Sequence, residues 1–255
     1  MSVDASKGVN EVFSRTDTRA LTLNGSTLTP TWATNEHVYV QGTLSSDNSK
    51  FWFEGSIQPQ SAGANTRLNG QITLPSGWSG TILSLIGEHP EFTLQFPRSG
   101  NLSYAEQAGT LADIAAKYDY AIATGVLFDI AGDHIIGTNS ASFENQQAIV
   151  KFTLKDKANG TTLLSPTALT IAYGSETISL TSIPNATYTN NGDGVIFVAI
   201  PGYTEAEVND TQVTSSRDVT LTATCADGTY TYNKSGVTFQ NGKYYEITVK
   251  MTKQQ

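Results

Sequence analysis

Short runs in which apolar and polar side chains alternate recur along the whole chain, each closed by Gly, Pro, Asn or Asp. Ala148, Val150, Phe152 and Leu154 alternate with Ile149, Lys151 and Thr153. Tyr245, Ile247, Val249 and Met251 alternate with Tyr244, Glu246, Thr248 and Lys250. Successive side chains of a strand point to opposite faces, so this period of two predicts sheets with one buried face. Asp227-Gly228 and Asn241-Gly242 sit between such runs and are strong hairpin signals, because these residues tolerate the positive φ of tight turns. The end of the chain therefore reads as an antiparallel meander. No helix is interleaved between its strands, which argues against a parallel α/β fold.

The same reading predicts strands over 36–41, 51–55, 71–74, 81–86, 91–96 and 120–128, and a second series from 148 onward. Residues 1–11 read as a loose lead-in to a short first strand at Val12-Phe13-Ser14-Arg15. One segment departs from period two. Leu111, Ile114, Ala115 and Tyr118 recur at helical spacing within 103–118, predicting one short helix. At 255 residues the chain is long enough for two domains with separate cores. The expectation is an all-β protein of two domains, 1–145 and 146–255, with the helix in the first.

Composition narrows the function classes. The net charge is −8, only 15% of residues are charged, and no two basic residues are adjacent, so nothing would neutralise a phosphate backbone and nucleic acid is excluded as a partner. The single cysteine, Cys225, permits neither an internal disulfide nor a multi-cysteine metal site. It alternates with Leu221 and Ala223 as a small buried apolar residue would. No apolar run is long enough to cross a membrane as a helix, and the first residues carry no signal-peptide core. That leaves a cytoplasmic protein or the mature part of an exported one.

Catalytic constellations are not found. His37, His89 and His134 are far apart and lack ligand spacing. There is no nucleophile elbow and no phosphate cradle. Asn190-Asn191-Gly192-Asp193-Gly194 is oxygen-rich, but lacks the distal bidentate Glu of a calcium loop and reads as a turn. Asp129 with Asp133, and Glu205 with Glu207 and Asp210, are carboxylates close in sequence, with no sign of a cleft between them. The expectation is no enzyme, no cofactor and no metal.

Aromatic residues are more informative. In Phe51-Trp52-Phe53 the two Phe share one face, and Trp52 turns to solvent or to the second layer. Trp78 lies on a turn, in Pro75-Ser-Gly-Trp-Ser-Gly80, and Tyr203 follows Pro201-Gly202. Trp52, Trp78 and Tyr203 are thus candidate surface aromatics for a glycan or partner protein, whereas Trp32 is assigned to the core of the first domain.

Three landmarks then occur in order. The first is Val12-Phe13-Ser14, Thr18-Arg19 and Trp32-Ala-Thr-Asn-Glu36-His-Val38-Tyr-Val40. The second is Phe143-Glu-Asn145-Gln-Gln-Ala148-Ile-Val150-Lys151-Phe152-Thr-Leu154. The third is Gly242-Lys243-Tyr244-Tyr245-Glu-Ile247-Thr-Val249. Together they resemble the fimbrillin family (FimA/Mfa-like subunits) of Bacteroidetes surface fimbriae. The resemblance implies two transthyretin-like Greek-key β-sandwich domains and a lipoprotein on the extracellular face of the outer membrane. Its implied partners are other fimbrial subunits, or a host or bacterial surface protein or glycan, with a lipid anchor absent from this chain as the only membrane link. It further implies removal of an N-terminal strand by cleavage after Arg15 or Arg19, followed by complementation with a strand from another subunit. Few residues follow the final Asn-Gly turn, so a tip, accessory or anchoring subunit is expected rather than a stalk subunit. The alternative is a carbohydrate- or protein-binding β-sandwich module outside fimbriae.

Overall fold

The computed structural model describes residues 1–7, 20–24, 27–87, 91–97, 103–211 and 214–255. They divide into two compact units. The first comprises Met1–Asn101 and Asp119–Asn145, the second Leu102–Tyr118 and Gln146–Gln255. Both are built on sheets, and the protein is mostly β. No described helix is long and apolar enough to cross a membrane.

The first unit runs β1 (Ser2–Lys7), β2 (Ala20–Asn24), β3 (Thr27–Thr31), β4 (Tyr39–Thr43), β5 (Lys50–Trp52), β6 (Glu54–Pro59), β7 (Asn65–Thr73), a one-turn helix α1 (Ile82–Ile86), β8 (Glu91–Phe96), β9 (Ala121–Ala131), β10 (His134–Gly137) and β11 (Ala141–Asn145). Its nine-stranded sheet follows the order β5-β4-β8-β9-β10-β1-β7-β6, with β11 pairing both β1 and β9. β2 and β3 form a separate hairpin with Leu23 opposite Leu28. Alternate residues of the strands fill the core: Val38, Val40, Phe51, Phe53, Ile57, Leu68, Phe92 and Leu94 are all buried. Each such side chain contributes about 1.5–3 kcal/mol by leaving water. Trp32 is wholly buried as expected, with its ring edge-on to Phe96 and Phe143.

Two expectations fail in this unit. Residues 81–86 were expected to form a strand but wind into α1, because Thr81 and Ser84 cap each other. The Thr81 hydroxyl accepts from the Ser84 amide and the Ser84 hydroxyl from the Thr81 amide. And the polar start of the chain is no loose lead-in, since Ser2–Lys7 lies inside the sheet. The strand expected at Val12-Phe13-Ser14-Arg15 lies outside the described residues.

The second unit holds α2 (Leu111–Lys117), β12 (Ala148–Asp156), β13 (Ala168–Tyr173), β14 (Glu176–Leu180), α3 (Asn185–Asn191), β15 (Val195–Ile200), α4 (Glu205–Asn209), β16 (Arg217–Cys225), β17 (Gly228–Val237) and β18 (Tyr244–Lys253). Its sheet order is β14-β13-β16-β17-β18-β12-β15. The Asp227-Gly228 signal closes the β16–β17 hairpin, with Cys225 opposite Gly228. The Asn241-Gly242 turn does not give a full meander. β18 touches β17 only at Tyr230–Lys253 and Thr231–Thr252, and instead runs parallel to β12 from Ile149–Tyr244 to Asp156–Met251.

The helix expected in the first domain forms as α2, capped by Thr110, but belongs to the second unit, and α1, α3 and α4 accompany it among the described residues. The reason lies in residues 105–109, which reach both edges of the second sheet. Ala105 bridges Ser179 of β14. The buried Gln107 carboxamide donates to the Ala199 carbonyl and accepts from the Ala199 amide, each at 2.8 Å, so a side chain here pairs with β15 as a strand backbone would. The Phe197 amide donates to Gly109 at 2.9 Å. Gly109 has φ +79, and a Cβ there would stand 2.9 Å from Ile196, so only glycine allows this approach.

Candidate functional site: the first strand and its buried lysine

β1 has partners on both sides. Ser2 to Ser6 pair antiparallel with Asn69 to Asn65 of β7. On the other side Ser2 is opposite Ile136 of β10, and Ala5, Ser6 and Lys7 are opposite Ala141, Ser142 and Phe143 of β11, in parallel. A strand bonded along both edges leaves a groove if it is withdrawn. Val3 and Ala5 point into the core. Val3 packs so closely on Gly137 that a Cβ added to that glycine would stand 2.6 Å from the Val3 side chain.

Period two sends Lys7 to the same inner face, where its side chain is 0% exposed. Its ammonium contacts Asp119 Oδ2 at 2.8 Å and the two Glu36 carboxylate oxygens at 3.2 and 3.3 Å. Both carboxylates are buried as well, at 3% and 4% exposed. The Lys7 nitrogen lies 4.7 Å from the Trp32 ring centre and 4.5 Å from that of Phe96, so two aromatic faces complete its surroundings. Asp119 Oδ1 and Trp32 Nε1 are buried and find no hydrogen-bond partner among the described residues. One amine thus faces two carboxyls in a buried aromatic box. Burial of charge is costly unless paired, so these three groups are held at high electrostatic stakes. Sequence reasoning missed all three. Glu36 was noted only as a motif position, and Lys7 and Asp119 carried no signal, since isolated charged residues usually lie on the surface.

The surface aromatics fare differently from one another. Trp78 is exposed at 40%, with its ring centre 4.9 Å from that of Phe51. Trp52 is half-buried on the edge strand β5, opposite Gln41. Phe51 takes the inner face of that strand, so Trp52 and the Trp78 ring packed at a tilt against Phe51 lie on opposite faces of it and form no common platform. Tyr203 is not a surface residue. It is 8% exposed, its hydroxyl donates to the Thr214 carbonyl and accepts from Arg217 Nε at 2.8 Å, and its backbone bonds Phe239 and Asn241. The loop after Pro201-Gly202 turns inward because those backbone bonds draw it onto the segment 239–241. Arg15 and Arg19 lie outside the described residues.

Chemistry elsewhere is sparse. No group of three His, Cys, Asp or Glu among the described residues is placed to hold a metal ion. His37 and His134 are exposed, and His89 lies outside the described residues. Cys225 is half-buried, and burial pushes its thiol up from its ordinary value, the opposite of what a thiolate nucleophile requires.

No family model and no curated protein sequence matches the chain. Among solved structures it is similar to a fimbrial protein from Bacteroides ovatus ATCC 8483, at 10% identity and a TM-score of 0.42 over 98% of this chain and 48% of that one, so that it spans about half of that protein's length. It is also similar to a candidate cell adhesion protein from the same organism, at 13% identity and a TM-score of 0.48 over 100% of this chain and 96% of that one. A fimbrial assembly protein from Parabacteroides distasonis ATCC 8503 is similar at 13% identity and a TM-score of 0.41, over 97% of this chain and 90% of that one.

Proposed function

We propose that the protein is a non-enzymatic cell-surface subunit of the fimbrial or adhesion type, related to the fimbrillins, with two transthyretin-like Greek-key sandwiches. It acts on the extracellular face of the outer membrane as a tip, accessory or anchoring subunit. Its partners are other fimbrial subunits or a surface protein or glycan, joined by strand complementation. The observation that carries this reading is the position of β1, a short N-terminal strand bonded along both edges in the middle of a sheet. Such a strand occupies the place a partner's strand would take, and main-chain hydrogen bonds would supply the affinity. Arg15 and Arg19 follow it closely in sequence, so cleavage after either would sever β1 from the rest of the chain.

Limited digestion with an Arg-specific protease under native conditions tests the reading. Cleavage after Arg15 or Arg19, with the remainder of the chain folded, is the expected result. A chain that stays uncut at both sites and unchanged in size on gel filtration overturns the processing step. The second reading, a carbohydrate- or protein-binding module outside fimbriae, is favoured by the exposed indole of Trp78. It predicts that Trp78→Ala abolishes binding to a glycan or protein surface and leaves the digestion pattern unchanged.

A further inference from the structure

The geometry points to a covalent bond that forms within the first unit: an amide between the Lys7 side-chain nitrogen and the side-chain carboxyl carbon of Asp119, with Glu36 as the proton carrier. Three features of the buried cluster carry this bond, independently of how the protein assembles.

The first is proximity. The Lys7 nitrogen is 2.8 Å from Asp119 Oδ2, one bond away from the carboxyl carbon it would attack, with Lys7 on strand β1 and Asp119 just ahead of β9. Holding two groups in this way replaces a bimolecular encounter by a step within one molecule. The second is the environment. Trp32 and Phe96 wall the nitrogen, and all three polar side chains are 4% exposed or less, so the amine and the carboxyls are shielded from bulk water. The third is the presence of a second carboxyl. Glu36 places both oxygens about equally far from the nitrogen, at 3.2 and 3.3 Å, which suits a base that removes a proton. Asp119 offers one oxygen to the nitrogen and leaves Oδ1 without a hydrogen-bond partner among the described residues, an acyl group not tied elsewhere.

The step starts from the form of the cluster that carries one added proton, in which one amine and two carboxyls sum to no net charge. With that proton on Asp119, Glu36 takes one from the Lys7 ammonium and the free amine attacks the Asp119 carboxyl carbon. The nitrogen–carbon bond forms, and Glu36 relays a proton from nitrogen to the departing hydroxyl. The carbon–oxygen bond breaks and one water leaves. Glu36 ends protonated, able to donate to the new amide carbonyl. Nothing is oxidised or reduced, and no co-reactant is needed.

The bond would fasten β1 to the segment entering β9. A chain carrying it keeps β1 even after cleavage at Arg15 or Arg19, so the bond and strand complementation at this place exclude one another within a single chain.

Mass spectrometry of the denatured full chain tests the bond directly. The expected result is a mass lower than that of the unbonded polypeptide by one water, and a proteolytic digest containing one branched peptide that joins Lys7 to Asp119. Lys7→Arg and Asp119→Ala should show the full mass, and Glu36→Gln the full mass or a much slower loss of water. A parent chain of full mass with no branched peptide overturns the proposal, as does a branch from Lys7 to Glu36 or a Glu36→Gln chain bonded as completely as the parent. The parent chain alone decides whether the bond exists, and the Glu36→Gln chain decides only whether Glu36 carries the proton. Digestion after Arg15 or Arg19 then separates the two proposals. The fragment bearing β1 should stay attached in denaturant in the parent and come free in Lys7→Arg, whereas an uncut parent refutes the processing step and leaves its mass deficit unaffected.

Discussion

The two units solve the same problem, burial of one face of a sheet, with different interiors. The second is aliphatic and aromatic, and its polar side chains mostly settle on backbone groups. The Tyr188 hydroxyl donates to the Pro166 carbonyl at 2.6 Å, Thr187 to Ala108, and Gln107 pairs with Ala199. Neutral groups bonded in this way cost little to bury. The first unit instead encloses an amine and two carboxyls against Trp32 and Phe96. An interior like the second maximises stability. One like the first is easier to justify if its charged groups have chemistry to perform.

The largest effect expected from breaking this contrast is at Lys7. Lys7→Ala leaves two buried carboxyls facing each other and should destabilise the first unit by about 3–5 kcal/mol. All three tryptophans, Trp32, Trp52 and Trp78, lie in the first unit, so a urea titration followed by tryptophan fluorescence reads that unit alone. A midpoint unchanged from the parent would mean that the cluster contributes nothing to folding. The converse change is made in the second unit. Ile178→Ala removes a wholly buried side chain from an apolar cluster and should cost about 2–5 kcal/mol. Tyrosine near-ultraviolet circular dichroism should report that loss. A comparable shift of the tryptophan transition would show that the two units do not unfold separately.

The smallest effect sharpens the comparison at the surface of the second unit. Thr204 caps α4, its hydroxyl accepting from the Glu207 amide while the Glu207 carboxylate accepts from the Thr204 amide and hydroxyl. Thr204→Ala should cost about 1 kcal/mol, seen as a small shift in the urea midpoint at neutral pH. Those two hydrogen bonds from Thr204 hold the Glu207 carboxyl below the usual carboxylate range. A group whose value is lowered by folding stabilises the fold above its unfolded value and loses that contribution as pH falls through the folded one. The difference between parent and variant should therefore shrink in acid, and a difference that grows in acid would refute the cap.

Much of the architecture could be read in advance, for a local reason. Residues 148–154 and 245–251 carry their burial in a period of two that needs no knowledge of partners, and the buried faces of β12 and β18 follow it. The helix at 111–117 was visible in its own spacing. What misled was equally local. Thr81-Ile82-Leu83-Ser84-Leu85-Ile86 has the apolar content of a strand, and only the reciprocal Thr81–Ser84 cap reveals a helix. The loop aromatic Tyr203 looked exposed beside Pro201-Gly202, because nothing nearby announces the Arg217 and Asn241 groups that draw it inward.

The sequence by itself determined that this is a β protein without a metal-ligand motif, with strand faces set by alternation and turns set by Asn, Asp and Gly. Those properties depend on residues one to four apart. The tertiary structure decided which strand sits in the middle, to which unit residues 102–118 belong, and that Lys7, Glu36 and Asp119 meet. These are pairings across 29 residues for Lys7–Glu36 and 92 for Gln107–Ala199, set by chain closure and by the need to pair every buried backbone and charged group. No local pattern carries them, and the candidate chemistry of the protein lies among them.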